Sequence, residues 1–396
     1  MSSTDPEAPD AGLDLDRVHE TFESSTDFTI GIEEEFAILD PETLELQHRF
    51  EELNEAAQAD DELAAAVRGE LIDTEIEIRS GRGETFADAA ERQRERRRRL
   101  FALAGEHGAA LASAGTHPWA NYLDQRIIDT EHYNRLRDEL RWVVQRNNTW
   151  SLHVHVGVRG ADRAVAVTDR MRELLPILLA ASANSPFLDG RDTGLHSVRS
   201  EIFTRTFPRC GVHQPFGGWD EYASFVELLV KTSSIVEATQ LWWSVRPHHA
   251  FGTVEVRICD AQTGGDESLE LAALIASCVG QAAIDLDDGR DEPLLSQREI
   301  EENLWRAIRY GMDGEMIDFT RRETVPTRRV LEDLIAWTAP ARTVLGLDDP
   351  ALPEANGAQR SLRALADGAS IPEIYRDAVE RTRATFAPEQ VPAVDD

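Results

Sequence analysis

Apolar and polar residues alternate with a period of two over 28–39, 70–79, 149–158, 241–247 and 252–260. That alternation predicts strands with one face buried. Elsewhere the apolar spacing lengthens to three and four, which predicts helices over 50–68, 84–108, 161–183, 219–239, 266–285 and 297–310. Further helices run to about residue 383. "PET" at 41–43 reads as the turn after the first strand, and "NSPFLDGRDTGLHSVRS" at 184–200 as a loop. No internal repeat and no Gly- or Pro-rich linker interrupts this order. It predicts one α+β domain over 25–385, a mostly antiparallel sheet with flanking helices. Residues 1–24 read as a disordered acidic tail and 386–396 as a C-terminal tail.

Charge narrows the classes of partner. The chain has 396 residues, with 73 acidic against 41 basic, a formal net charge of −32. A phosphate backbone or an anionic membrane wants a basic face, so neither nucleic acid nor membrane is expected as a partner. Hydrophobic content is 41%, enough to build a core, so the acid is mostly a surface coat. Lys231 is the only lysine. Excess Asp and Glu with almost no Lys fits a high-salt cytoplasm, where salt screens self-repulsion. The run "RRRR" at 96–99 follows Glu91 and Glu95 on a long helix and reads as a solvated helix face.

The three cysteines, Cys210, Cys259 and Cys278, are widely spaced and suit a reducing cytosol. The N-terminal stretch has no basic and apolar run of the kind a signal peptide carries. The apolar stretch at 174–183 is too short to span a bilayer.

Four of the strands carry unusual cargo. In "GIEEEF", Glu33 and Glu35 share one face and Glu34 points the other way. In "ELIDTEIEI", Glu75 and Glu77 share a face, with Glu70 at or just before the strand start. In "SLHVHVGV" the face is His153 and His155, and in "TVEVRICD" it is Glu255 and Arg257. Brought together in one sheet, these carboxylates raise each other's pKa unless a cation sits among them. Oxygen-rich ligands with little imidazole point to Mg²⁺ or Mn²⁺. Such a cluster usually shares its ion with substrate phosphates, and Arg257 then fits as a phosphate clamp. The class is phosphoryl transfer from a metal–nucleotide complex. With a single lysine and no GxxxxGK[ST], a P-loop is excluded. A zinc hydrolase would need more histidines. Glu34 is left to be matched by an arginine.

The segments "GIEEEF", "ELIDTEIEIRSG", "AGTHPWA", "SLHVHVGV", "SPFLDGRDTG", "SVRSEIF", "WWSVRP", "EVRICDAQT" and "NLWRAIRYGMDGEMID" together resemble the carboxylate-amine ligases of the type-2 glutamate–cysteine ligase family. The likeness runs from about 27 to 385, and the acidic composition is similar to that of the family's haloarchaeal branch. It implies a glutamine synthetase-like catalytic fold whose curved antiparallel sheet holds Mg²⁺ around ATP. The implied metal ligands are Glu33, Glu35, Glu70, Glu77, His153 and Glu255. Arg257 and Glu77 take the catalytic roles, and Arg257 and His155 lie at the nucleotide. Arg199, Arg246 and Arg309 match segments that bind substrate. The implied reaction joins glutamate to cysteine through γ-glutamyl phosphate; the alternative is a general carboxylate-amine ligase with another amine acceptor. Loops 189–200 and 211–218 are expected to cover the acyl phosphate. A homo-oligomer is left open.

Overall fold

A computed structural model describes residues 13–290 and 292–387. Its main sheet has seven strands: β1 (Ile30–Leu39), β2 (Val67–Arg68), β3 (Glu75–Arg79), β4 (Ala110–Ala112), β5 (Leu152–Gly157) and, later in the chain, a hairpin pair. Two further short strands, β6 (Phe187–Leu188) and β7 (Arg191–Asp192), form a separate hairpin. The hairpin that completes the main sheet is β8 (Val245–His248) and β9 (Thr253–Val256). The order is β2-β3-β1-β5-β9-β8, with β4 also on β1, and every pairing is antiparallel.

Alternation decides the two faces. Ile32, Leu152, Val154, Val156, Val254 and Val256 point to one side and enter the main core. Helices Ala161–Met171 and Gly265–Asp287 pack there. Phe36, Ile38, Ile76 and Ile78 continue the same side against Leu100 and Ala104 of helix Phe86–Glu106. Helix Gly265–Asp287 is apolar and long enough to cross a membrane, yet most of it is buried in this core. The opposite face carries the charged residues.

Several expectations need correction. The tail expected over 1–24 lies outside the described residues up to residue 12. From there the chain is ordered: Asp14 caps helix Leu15–Glu23, and Val18 and Phe22 are buried. Their i, i+4 spacing places both on one face, which the surrounding acid obscured. Ser25 then donates to the Gly252 carbonyl at 2.7 Å, tying this segment to the β8–β9 hairpin. Gly157 permits that approach, because a Cβ there would lie 2.2 Å from the Thr26 carbonyl oxygen. At the other end, Phe386 is buried and ends helix Ile371–Phe386, so only 388–396 of the expected tail lies outside the described residues.

The 50–68 helix is two helices, Phe50–Ala57 and Asp61–Ala66, then β2. Helix 219–239 stops at Lys231, and 161–183 breaks at a short 3-10 turn over Arg172–Leu174. Residues 184–200 hold β6, β7 and the start of helix Val198–Thr206. Helix Glu131–Leu140 has no counterpart in the sequence reading. Nor does the hairpin β10 (Glu315–Asp318) with β11 (Glu323–Pro326).

The arginine run is a further correction. Arg96 and Arg97 are 8% and 2% exposed, not solvated. Arg97 pairs Glu34 with two prongs, and Gln93 Nε2 and Ser268 Oγ also donate to that carboxylate. The carboxylate that faces the core therefore has its arginine.

Candidate cation and nucleotide site

Register brings the charged residues side by side. Glu33 sits opposite Arg79 on β3 and opposite His153 on β5. Glu35 faces Glu77, and Ala37 faces Glu75. Across the next two seams, His155 faces Glu255, and Glu255 faces Arg246. Arg257 follows β9 directly, and its Nη1 donates to Glu255. Glu33, Glu35, Glu75, Glu77 and Glu255 are each no more than 8% exposed. Glu70 comes from the loop before β3 and shares a hydrogen bond with Glu77.

The ligand atoms converge on two spots. Oxygens and nitrogens of Glu33, Glu77 and His153 all lie within 4.8 Å of one another, and so do those of Glu33, His155 and Glu255. Glu33 belongs to both. His153 Nδ1 is 3.2 Å from Glu33 Oε2, and its Nε2 is 2.8 Å from Ser151 Oγ. His155 Nδ1 rests on Thr253 Oγ1 at 3.0 Å, which turns Nε2 toward Glu33 at 3.3 Å.

Burial and crowding set the charge states. Burial, then the Glu77 carboxylate, lifts Glu35 to about 7. Burial also pushes Glu75 and Glu77 well above the carboxylate range, with neighbouring glutamates adding to it. Burial and then Arg257 push His153 down to about 3, so its imidazole is neutral, as a metal ligand must be. Against burial, Glu255 and Glu33 hold His155 above its usual value. Six carboxylates face three guanidiniums here, so protons stand in for missing positive charge. Glu75 Oε2 and Glu77 Oε2 are buried and make no hydrogen bond among the described residues. Oxygen-rich, orphaned and two-centred, this donor set fits a pair of hard divalent ions.

The face therefore collects Glu33, Glu35, Glu70, Glu77, His153, His155, Glu255 and Arg257. Arg246 also reaches it, but its donors are committed to Glu255 and to the Thr239 and Leu241 carbonyls. Arg199 is buried, donating to the Ile258 and Arg257 carbonyls and lying 3.6 Å from Asp260. Arg199 and Arg257 border a narrow crevice of only about 10 Å³ together with Phe203, Trp242 and Ser244. Arg309 is not brought to the face; it is exposed, 5.0 Å above the Tyr310 ring.

Besides Glu75, placed on the face without a role, a guanidinium and an imidazole of the face went unassigned in the sequence. Arg79 pairs Glu77 and lies 3.3 Å from Glu33. His248 lies 5.0 Å from the His155 ring and stacks on Phe251. Both were findable, since each sits two residues beyond an assigned position on its strand. Both expected covering loops carry exposed stretches: 211–213 is packed down but 214, 215 and 217 are exposed, and the β6–β7 hairpin tip is exposed.

The profile of glutamate–cysteine ligase family 2 matches residues 29–352. A chain from Rubrobacter xylanophilus, provisionally named glutamate–cysteine ligase 2-2, is 37% identical over 93% of this chain and 95% of its own length. One from Sorangium cellulosum, provisionally named glutamate–cysteine ligase 2, is 38% identical over 90% and 96%. Among solved structures, the glutamate–cysteine ligase of Francisella tularensis in complex with AMP superposes with a TM-score of 0.65 at 11% identity, over 94% of this chain and 91% of that one. The bifunctional glutathione synthetase of Pasteurella multocida gives 0.67 at 12%, over 94% of this chain and 54% of that longer protein. These two likenesses establish the fold.

Proposed function

The chain belongs to glutamate–cysteine ligase family 2, and from that premise we propose that it joins the γ-carboxylate of L-glutamate to the amine of L-cysteine, consuming ATP. The coarser statement, a carboxylate-amine ligase, follows from the family. The observation that supports ATP-dependent chemistry is the pair of three-residue clusters sharing Glu33, set beside Arg257, while cysteine as acceptor rests on the family likeness.

Glu33, Glu35, Glu70, Glu77, His153 and Glu255 would hold Mg²⁺ or Mn²⁺, which neutralises charge on the nucleotide phosphates. Arg257 clamps the β- and γ-phosphates, its Nη1 fixed on Glu255. His155 completes the second cluster with Glu33 and Glu255, on the side we assign to the nucleotide. A γ-carboxylate oxygen attacks the γ-phosphorus and ADP leaves. The cysteine amine then attacks the acyl carbon, phosphate departs, and the amine loses a proton. Arg199 lies beside Arg257, and it meets a substrate carboxylate only if Nη1 and Nη2 give up the Ile258 and Arg257 carbonyls. Arg246 acts through Glu255, and a role for Arg309 requires substrate to reach its exposed position. We read 25–385 as one catalytic unit working among free thiols, since Cys210, Cys259 and Cys278 are unpaired.

A second reading keeps the chemistry and changes the acceptor. Mg²⁺-dependent ADP release in molar KCl, with glutamate and a panel of amines, separates the two. Turnover greatest with cysteine, and γ-glutamylcysteine by mass, supports the first. Far faster turnover with another amine overturns it.

A further inference from the structure

Glu70 is the one ligand candidate outside the strands, so no sheet register holds it. Its loop is instead gripped from the segment after β4. Ile128 donates to the Leu71 carbonyl at 3.1 Å, and Asp73 donates to the Arg126 carbonyl at 3.0 Å. Ile72 and Ile127 form an isolated bridge. The Tyr133 hydroxyl, on helix Glu131–Leu140, donates to the Gly69 carbonyl at 2.7 Å. Gly69 is wedged there: a Cβ would lie 2.6 Å from the Phe50 ring. The peptide leading into Glu70 can therefore shift only if the tyrosine lets go.

The same helix reaches the far edge of the sheet. Glu139 accepts from Gln240 Nε2 at 2.9 Å, and His132 lies 2.7 Å from Glu237. Leu71, Leu136 and Val144 form a small cluster with Trp242 against it. Glu70 precedes β3, and Glu237–Trp242 leads into β8, toward opposite edges of the sheet. One helix thus spans the two flanks of the acidic face.

We propose that Tyr133 is a positioning residue that sets Glu70 for cation binding, and that helix Glu131–Leu140 ties this setting to the β8 edge of the sheet at Trp242. The inference rests on the reading of Glu70 as a cation ligand. Tyr133→Phe removes only the hydroxyl and leaves the ring in its cluster. Mn²⁺ binding to the metal-free, full-length protein in molar KCl is read by electron paramagnetic resonance, with metal-free Tm alongside.

The expected result is a roughly two- to tenfold weaker Mn²⁺ affinity, the scale of one hydrogen bond, with metal-free Tm lowered by about a few degrees at most. In the Glu70→Gln background the same substitution should cause no further loss. Leu136→Ala, which loosens the helix from Leu71 without touching a polar group, should weaken Mn²⁺ in the same Glu70-dependent way. Unchanged affinity in Tyr133→Phe, or a loss that persists in Glu70→Gln, overturns the proposal. If Glu70→Gln alone leaves Mn²⁺ binding intact, the ligand reading fails first and this inference falls with it.

Discussion

Glu34 and Arg97 form a two-pronged ion pair on the face of β1 that points away from Glu33 and Glu35, with Arg97 Nη2 2.6 Å from Glu34 Oε1. Both side chains are almost fully buried. Three consecutive glutamates thus meet two different cations: an arginine on the core side, and the expected divalent ions on the other.

Arg97→Ala should therefore act on stability and not on the site. Removing one partner of a buried pair leaves an uncompensated charge and costs about 3–5 kcal/mol. Gln93 and Ser268 soften this, since each still donates to Glu34. Thermal unfolding should show a large drop in Tm, while Mn²⁺ affinity of the folded fraction stays as in the wild type. A weakened cation site at unchanged Tm would contradict the division of labour between the two faces.

Glu33 is shared by both three-residue clusters, whereas Glu77 belongs to one. Glu33→Gln should weaken both Mn²⁺ sites, and Glu77→Gln only one. The loss should exceed the roughly 10–100-fold seen when a hydrogen-bond partner of a ligand is removed. Titration by calorimetry counts the sites. Glu255→Gln is a poorer probe, because it also strips the buried Arg246 of its carboxylate. Two intact sites in Glu33→Gln would refute the shared geometry.

Much of this face was legible because a strand's period is two, so residue type and position together fix the side. β1, β3, β5 and β9 each declared their charged face through the apolar residues between. Glu70, at or just before the strand start, had no such frame, and its ligand role entered only through family likeness. Arg97 was misread because four arginines in a row look solvated. Yet Gln93, Arg97, Leu100 and Ala104 form one buried helical stripe. Position should have outweighed charge there. Tyr133 was hidden for another reason: its helix is polar overall, and only Leu136 on it is buried.

The raised carboxylates give a pH dependence with a definite sign. Glu35, near 7, and Glu75 and Glu77, pushed well above the carboxylate range by burial, bind protons in the folded protein at pH values where unfolded glutamates have lost theirs. Their contribution to stability is present at acidic pH and is lost as pH rises through the folded value. Divalent ions replace those protons, so Mg²⁺ should raise Tm more at about pH 8 than at about pH 6. Equal Mg²⁺ shifts at the two pH values would show that the cluster is not where the ion binds.

Salt should act on the whole molecule in the opposite sense from a surface ion pair. A formal charge of −32 repels itself, and that repulsion is felt across about 10 Å at 0.1 M salt but only about 3 Å at 1 M. Exposed pairs such as Arg329 with Asp333, at 2.6 Å, weaken as salt rises, yet each contributes only about 0–1 kcal/mol. The buried Glu34–Arg97 and Glu255–Arg246 pairs are screened much less. Net repulsion therefore decides the sign, and Tm should climb steeply from dilute buffer into molar KCl. Replacing KCl by sucrose, which favours compact states without screening, separates screening from general exclusion at the surface. A Tm that is flat in KCl, or that rises equally in sucrose, would rule out charge repulsion as the cause.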